Sequence, residues 1–191
     1  MEAISSLPGV GSRGALRLVL HLLRQPAGNV HHLADAINGL ADNVHYCRTC
    51  MMISDGDTCS ICSDPKRDHS TICVVENVRD VMRIEETGQY HGVYHVLGGI
   101  ISPINGIGPS DITVRELVDR LKAASGPVEV IFALSGSVEG ETTAFYIYRQ
   151  IAGLGAKVST LARGLSFGAD LEYADSLTLG RSIMNRQEFK P

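Results

Sequence analysis

Four of the chain's five cysteines, Cys47, Cys50, Cys59 and Cys62, are spaced C-x2-C-x8-C-x2-C. One Cys-x-x-Cys knuckle offers two thiolates to one side of a tetrahedral ion, and a second knuckle fills the other two positions. The pattern predicts one structural zinc ion per chain, with no coordination position left open for a substrate. Disulfides are the competing use of these residues. A bridge inside Cys-x-x-Cys is strained, however, and no signal peptide is found ahead of it to supply an oxidising compartment. Asp55-Gly56-Asp57 provides turn chemistry between the knuckles. His45 and His69 are rival ligands by type, expected at the surface or behind the ligand shell because four thiolates are already at hand. Cys73, inside the apolar run Thr71-Ile72-Cys73-Val74-Val75, reads as a small buried hydrophobe.

The chain has 191 residues, 44% of them hydrophobic, no Trp, and no apolar stretch long enough to span a membrane. These features predict a soluble, cytoplasmic protein; the length fits one domain or two small modules, and shifts of composition along the chain favour modules. The net charge of -4 offers nucleic acid no global attraction. Charge is uneven, though: residues 1–50 carry four Arg against three acids, and the rest thirteen Lys and Arg against eighteen acids. Contact with nucleic acid is expected to be local, near the start of the chain, and weak per subunit.

That start reads Leu7-Pro8-Gly9-Val10-Gly11-Ser12-Arg13-Gly14. Gly9, Gly11 and Gly14 match a dinucleotide-binding GxGxxG, but that motif needs a preceding strand within a βαβ unit, and there is no room for one here. A helix-hairpin-helix element fits better. Its Pro-Gly-x-Gly turn presents backbone N–H groups and a helix N-terminus to a phosphate, and so contacts DNA without reading bases. Arg13, Arg17, His21 and Arg24 recur at steps of four, four and three, which places them on one helical face. That face is either a DNA contact or simply a solvated face opposite Leu18 and Leu22; the adjacent turn favours DNA. A second amphipathic segment carries Val30, Leu33, Ile37, Leu40 and Val44 on one stripe, with Asn29 as its cap, and is expected to pack on the first helix, leaving His31 and His32 at the surface.

From residue 71 short apolar runs alternate with amphipathic segments. Strands are predicted at Ile72–Val75, Val93–Leu97, Val128–Leu134 and Lys157–Ala162, and helices at Val78–Glu85, after a Thr113/Glu116 capping box, at Glu141–Ile151 and at Ala174–Asn185. Gly98–Ser110 is a Gly/Pro-rich loop. The alternation calls for an α/β domain around a mostly parallel sheet, whose functional side chains collect at the strands' carboxyl ends. Glu76 and the loop Ser135-Gly136-Ser137-Val138-Glu139-Gly140-Glu141 fall there. They suggest a hard-cation site, or else a helix start at which Glu139 and Glu141 favour the macrodipole.

The loop resembles the acidic loop of Toprim domains, with Glu76 where their first glutamate stands. Adding the helix-hairpin-helix element, the four-cysteine ribbon, Cys59-Ser60-Ile61-Cys62-Ser63-Asp64-Pro65, Tyr94-His95-Val96-Leu97-Gly98-Gly99 and Leu171-Glu172-Tyr173-Ala174-Asp175, the chain from Leu7 onward resembles the RecR family of bacterial recombination proteins. The resemblance implies four segments: 1–46 helix-hairpin-helix, 47–70 zinc ribbon, 71–165 Toprim-like, 166–191 helical. It puts DNA contacts on Gly9, Gly11, Arg13 and Arg17. The chain departs from the family at Arg13-Gly14, where Lys-Ser is usual, and before Leu7, where a further short helical segment is usual.

Catalytic Toprim domains carry Asp-x-Asp where this chain has Ser135 and Ser137, and a hydroxyl lacks the charge a carboxylate brings to magnesium. The resemblance therefore implies a non-enzymatic mediator. Such proteins form ring-like oligomers, tetramers among them, and act with RecO and RecF to place RecA on single-stranded DNA coated by single-strand-binding protein, in the bacterial nucleoid. Glu76, Glu139 and Glu141 would then contact a basic partner. Two other readings stay open: a magnesium-dependent Toprim enzyme acting on DNA through those acids, and a DNA-independent oligomeric assembly protein.

Overall fold

The computed structural model describes residues 1–162, 164–165 and 170–186, which form two compact units, Met1–His45 and Tyr46 onward. Those parts of the expected helical segment 166–191 that fall on 166–169 and 187–191 lie outside the described residues. Among the described residues no helix is long and apolar enough to cross a membrane.

The first unit is helical: α1 (Glu2–Ser5), α2 (Ser12–Leu22) and α3 (Ala27–Asp42). Between α1 and α2, the Val10 N–H donates to the Leu7 carbonyl at 3.0 Å, and Gly9 has φ +80°. This is the turn in which Pro sits second and a residue with positive φ third. Ala15 is the one fully buried residue of α2. Leu18, expected on its core side, is 41% exposed, and Leu16 and Leu20 are exposed beside the arginines. The reading of α3 needs two corrections. Asn29 is not its cap, because Pro26 with φ -54° precedes the first turn, and Asn29 lies within that turn. Nor does the apolar stripe pack on α2 along its length: Val30 is half-buried, whereas Leu33, Ile37 and Leu40 are 44%, 58% and 67% exposed. Two short helices leave too little opposing surface within this unit to cover it.

β1 (His45–Tyr46), at the boundary where the second unit begins, pairs with β2 (Ile53–Ser54), and one helical turn, α4 (Ser60–Ser63), follows. The main sheet contains β3 (Asp68–Val75), β4 (Gly92–Val96), β5 (Glu129–Ala133) and β6 (Lys157–Thr160), all parallel, in the order β4-β3-β5-β6. Val74 pairs with His95 on one side and Phe132 on the other. The helices are α5 (Val78–Glu86), α6 (Val114–Lys122), α7 (Val138–Ile151) and α8 (Ser176–Met184). The expected mostly parallel α/β domain is present.

Both faces of the sheet are covered, so the second half of β3 (Ile72–Val75) is an apolar, buried run and β4 is buried along its whole length, while the polar first half of β3, from Asp68 to Ser70, is exposed. Ile72, Val74, Val93, Val130 and Phe132 pack with Leu117, Leu121, Ile147 and Ile151 of α6 and α7. Cys73, Val75, Tyr94 and Val96 pack with Val81 of α5, joined by Met52 and Ile61 from the ribbon. Cys73 is thus the small core hydrophobe that its context predicted.

The predicted capping box at Thr113 and Glu116 does not form. Thr113 Oγ1 instead donates to the Val96 carbonyl at 2.7 Å, because that strand-end acceptor is buried and needs a donor. A true capping box stands at α5, where the Asn77 side chain accepts from Arg79 N–H and Asp80 accepts from Asn77 N–H at 3.0 Å. Helix α7 starts three residues before Glu141, capped by Ser137, whose hydroxyl accepts from Gly140 N–H at 3.0 Å.

Candidate metal centre and strand-end site

The four ribbon cysteines converge. Their sulfurs all lie within 4.8 Å of one another, with Cys50 and Cys59 Sγ 3.5 Å apart. Zinc–sulfur bonds of about 2.3 Å in a tetrahedron place sulfurs about 3.8 Å apart, so the cage matches zinc in both donor type and size. Local backbone positions it. Cys47 N–H donates to the Met52 carbonyl, and Met51 N–H to the Cys47 carbonyl, closing the first knuckle; Met51 takes φ 61° to make that turn. In the second knuckle Cys62 N–H donates to Cys59 Sγ at 3.4 Å.

Cys47, Cys50 and Cys59 are buried, and the thiols influence one another. The Cys50 thiol is pushed up first by its hydrogen bond to Cys62 and then by burial. Burial likewise raises Cys59. At Cys47 burial also pushes upward, but backbone N–H groups at Cys59, Cys50 and Thr49 outweigh it and bring the thiol to about 6. A dication removes the penalty on this crowd of thiols by ligating them as thiolates. Neither His45 nor His69 belongs to the cluster; both are exposed, and His69 Nε2 lies 3.2 Å from the Asp64 carbonyl.

The ribbon is held against the sheet. Val96 N–H donates to the Cys50 carbonyl at 2.8 Å, and Arg120 of α6 reaches the carbonyls of Thr49 and Tyr94. Nearby, Arg67 pairs with Glu85, which also accepts from Tyr94 Oη at 2.6 Å. Tyr94 and Tyr90 stack edge to face, with centroids 5.1 Å apart.

At the carboxyl ends of the strands, adjacent strands β3 and β5 bring Glu76 to the Ser135 loop. Ser135 N–H donates to Glu76 Oε1 at 2.6 Å, and the hydroxyls of Ser135 and Ser137 are 2.8 Å apart. A Cβ at Gly140 would collide with the Ser135 carbonyl, so the loop and the first turn of α7 are pressed together. Glu139 is half-buried in that turn, and Glu141 pairs with Arg181 of α8 at 3.3 Å. Arg181 carries no signal in the sequence, because nothing in the spacing of a C-terminal helix says which loop it crosses. Tyr146 packs against the core, and Tyr148 is 47% exposed.

In the first unit, Arg13, Arg17, His21 and Arg24 share one exposed face with Leu16 and Leu20, around a shallow cleft of about 430 Å³. Gly11 precedes α2 without a side-chain cap, so the first N–H groups of that helix have no side-chain acceptor there.

Consecutive family models match this architecture: RecR, helix-hairpin-helix over residues 1–40; RecR, four-cysteine zinc finger domain over 44–64; Toprim domain over 70–162; and RecR, C-terminal over 164–187. The chain is 53% identical over 189 residues to Recombination protein RecR of Porphyromonas gingivalis strain W83, covering 99% of this chain and 91% of that protein. The chain belongs to the RecR family. The RecR proteins of Bacteroides thetaiotaomicron and Flavobacterium johnsoniae are 56% and 54% identical over 185 and 190 residues. These matches cover 97% and 100% of this chain, and 90% and 92% of those proteins. The zinc cage is therefore a RecR-type four-cysteine site, and its ion is structural. The strand-end loop with Glu76 is a Toprim rim carrying Ser135 and Ser137.

Proposed function

We propose that this chain is a non-enzymatic mediator of DNA recombination and repair, binding DNA without regard to sequence through the α1–α2 hairpin. The reading rests on the junction of that hairpin with the arginine face. Gly9 is demanded by its positive φ, but a Cβ on Gly11 would meet only open space. The chain's own packing thus gives no reason for glycine at 11, whereas close approach of a phosphate to the uncapped helix start does. Arg13 and Arg17 follow within two turns on the exposed side.

Two or three arginines hold DNA feebly, so assembly is part of the reading. A second copy covering Leu33, Ile37 and Leu40 of α3 would gather several hairpins on one ring, such as a tetramer, and raise affinity through effective concentration. The relatives are named as recombination proteins, which supports a role beside RecO, RecF and RecA on DNA coated by single-strand-binding protein. Glu76, Glu139 and Glu141 serve in this reading as the acidic rim for a basic partner, with Arg181 tempering its charge. The serines at 135 and 137 support the absence of magnesium catalysis.

The experiment is DNA binding against salt for the wild type and the Arg13→Ala/Arg17→Ala variant. The slope of log affinity on log salt is expected to fall by about one for each arginine removed. Unchanged affinity at low salt would refute the assigned face. Magnesium-dependent cleavage abolished by Glu76→Gln would overturn the non-enzymatic reading, and stable oligomers that never retain DNA would favour a purely assembling role.

A further inference from the structure

Arg120 is a cation without a matching acid. Among the described residues it forms no ion pair with a carboxylate, although it is partly buried between Leu117 and Leu121, both buried on the same helix. The other arginines near the ribbon are matched: Arg48, inside the first knuckle, pairs with Asp57 at 3.1 Å, and Arg67 pairs with Glu85. The Arg120 guanidinium has only carbonyls: Nη1 donates to Tyr94 at 2.7 Å and to Thr49 at 3.3 Å. Thr49 stands inside the first knuckle, between its two cysteines, Cys47 and Cys50.

Four thiolates around one Zn²⁺ leave a net charge of about -2 in a buried cluster, which needs compensation. Its bond to the Thr49 carbonyl sets the guanidinium beside this knuckle, and although burial draws the Arg120 pKa down, Cys62, Cys50 and Cys47 oppose that. We propose that Arg120 is the counter-charge of the zinc cluster and the tie that fixes its first knuckle to the sheet. Its guanidinium balances the cluster's negative charge while its bonds to Thr49 and Tyr94 hold ribbon and β4 together. Zinc occupancy and the stability of the sheet domain are thereby coupled through one side chain on α6.

The test is zinc affinity, measured by competition with a chromophoric chelator, for wild type, Arg120→Met, Arg120→Lys and, as a control, Arg115→Met on the exposed side of the same helix. Loss of an outer-shell partner typically costs about 10- to 100-fold in metal affinity, and that loss is expected for Arg120→Met. Arg120→Lys, which keeps the charge, should retain most of the affinity, and Arg115→Met all of it. If Arg120→Met does not fold, Arg120→Gln replaces it, and zinc release on thiol titration is compared with Arg120→Lys; release should be faster from Gln. Equal zinc affinity or release in charged and neutral variants, with stability lowered equally in metal-free and zinc-loaded protein, would overturn the proposal and leave Arg120 a structural tie only.

Discussion

Ser135 N–H donates to Glu76 Oε1 at 2.6 Å, joining the carboxyl ends of β5 and β3. The carboxylate therefore orders the rim as well as charging it. A hydrogen bond to a charged group contributes about 1.5 kcal/mol or more, so Glu76→Ala is expected to lower unfolding stability by about that amount. Glu76→Gln keeps an acceptor and should lose less. Urea unfolding of the two variants checks this; equal losses would mean that the bond contributes nothing.

Gly140 is the tightest point of the same rim, because a Cβ there would collide with the Ser135 carbonyl. Gly140→Ala should cost about 1–3 kcal/mol, the range for forced overpacking. Gly136→Ala, whose Cβ would lie 3.9 Å from the nearest atom, Arg181 Nη1, should be tolerated. Thermal melts of the pair would separate a steric cause from a general intolerance of the loop.

The cysteines should divide by role. Cys59→Ser is expected to abolish stoichiometric zinc and to destabilise the ribbon, since ligand and fold are lost together. Cys73→Ser should keep zinc while placing a hydroxyl in the core beside Val75 and Val81, at a cost of about 1–3 kcal/mol. Zinc content measured alongside melting distinguishes them. Loss of zinc from Cys73→Ser would contradict its assignment as a core residue.

His95 is fully buried, with Nε2 2.8 Å from the Thr113 carbonyl and Nδ1 without a partner among the described residues. Burial, followed by the Arg120 charge, depresses its pKa from 6.5 to about 4, against the opposing bond to Thr113. The unfolded chain therefore binds this proton more readily than the folded one. The associated stability is complete above pH 6.5 and is lost as pH falls towards 4, about 3 kcal/mol in all. With zinc in excess, His95→Gln should lose less stability than wild type over that window. Parallel curves would show that His95 does not govern it.

Much of the second unit is legible in the chain. The Cys-x-x-Cys pair specifies its own cage because ligand spacing and metal geometry are local. The apolar runs at Ile72–Val75 and Val128–Leu134 mark buried strands because both faces of the sheet are covered. Boundaries are less legible where a side chain has two possible uses. Thr113 and Glu116 have the form of a capping box, yet the Val96 carbonyl takes the threonine hydroxyl. Asn77 and Asp80 form a capping box with the same kind of sequence signal.

Neighbours a few residues apart are enough to specify the metal-binding cysteines, the alternation of strands and helices, and the exposed arginine face, so the order of residues alone carries all three. Packing between distant elements was needed to bring Arg120 to Thr49, 71 residues away, tying the ribbon to the sheet, and to cross Arg181 over to Glu141. It also left the α3 stripe uncovered within the first unit. Helical periodicity says that such a face is apolar; what lies against it depends on how remote segments meet, and spacing along the chain carries no record of that.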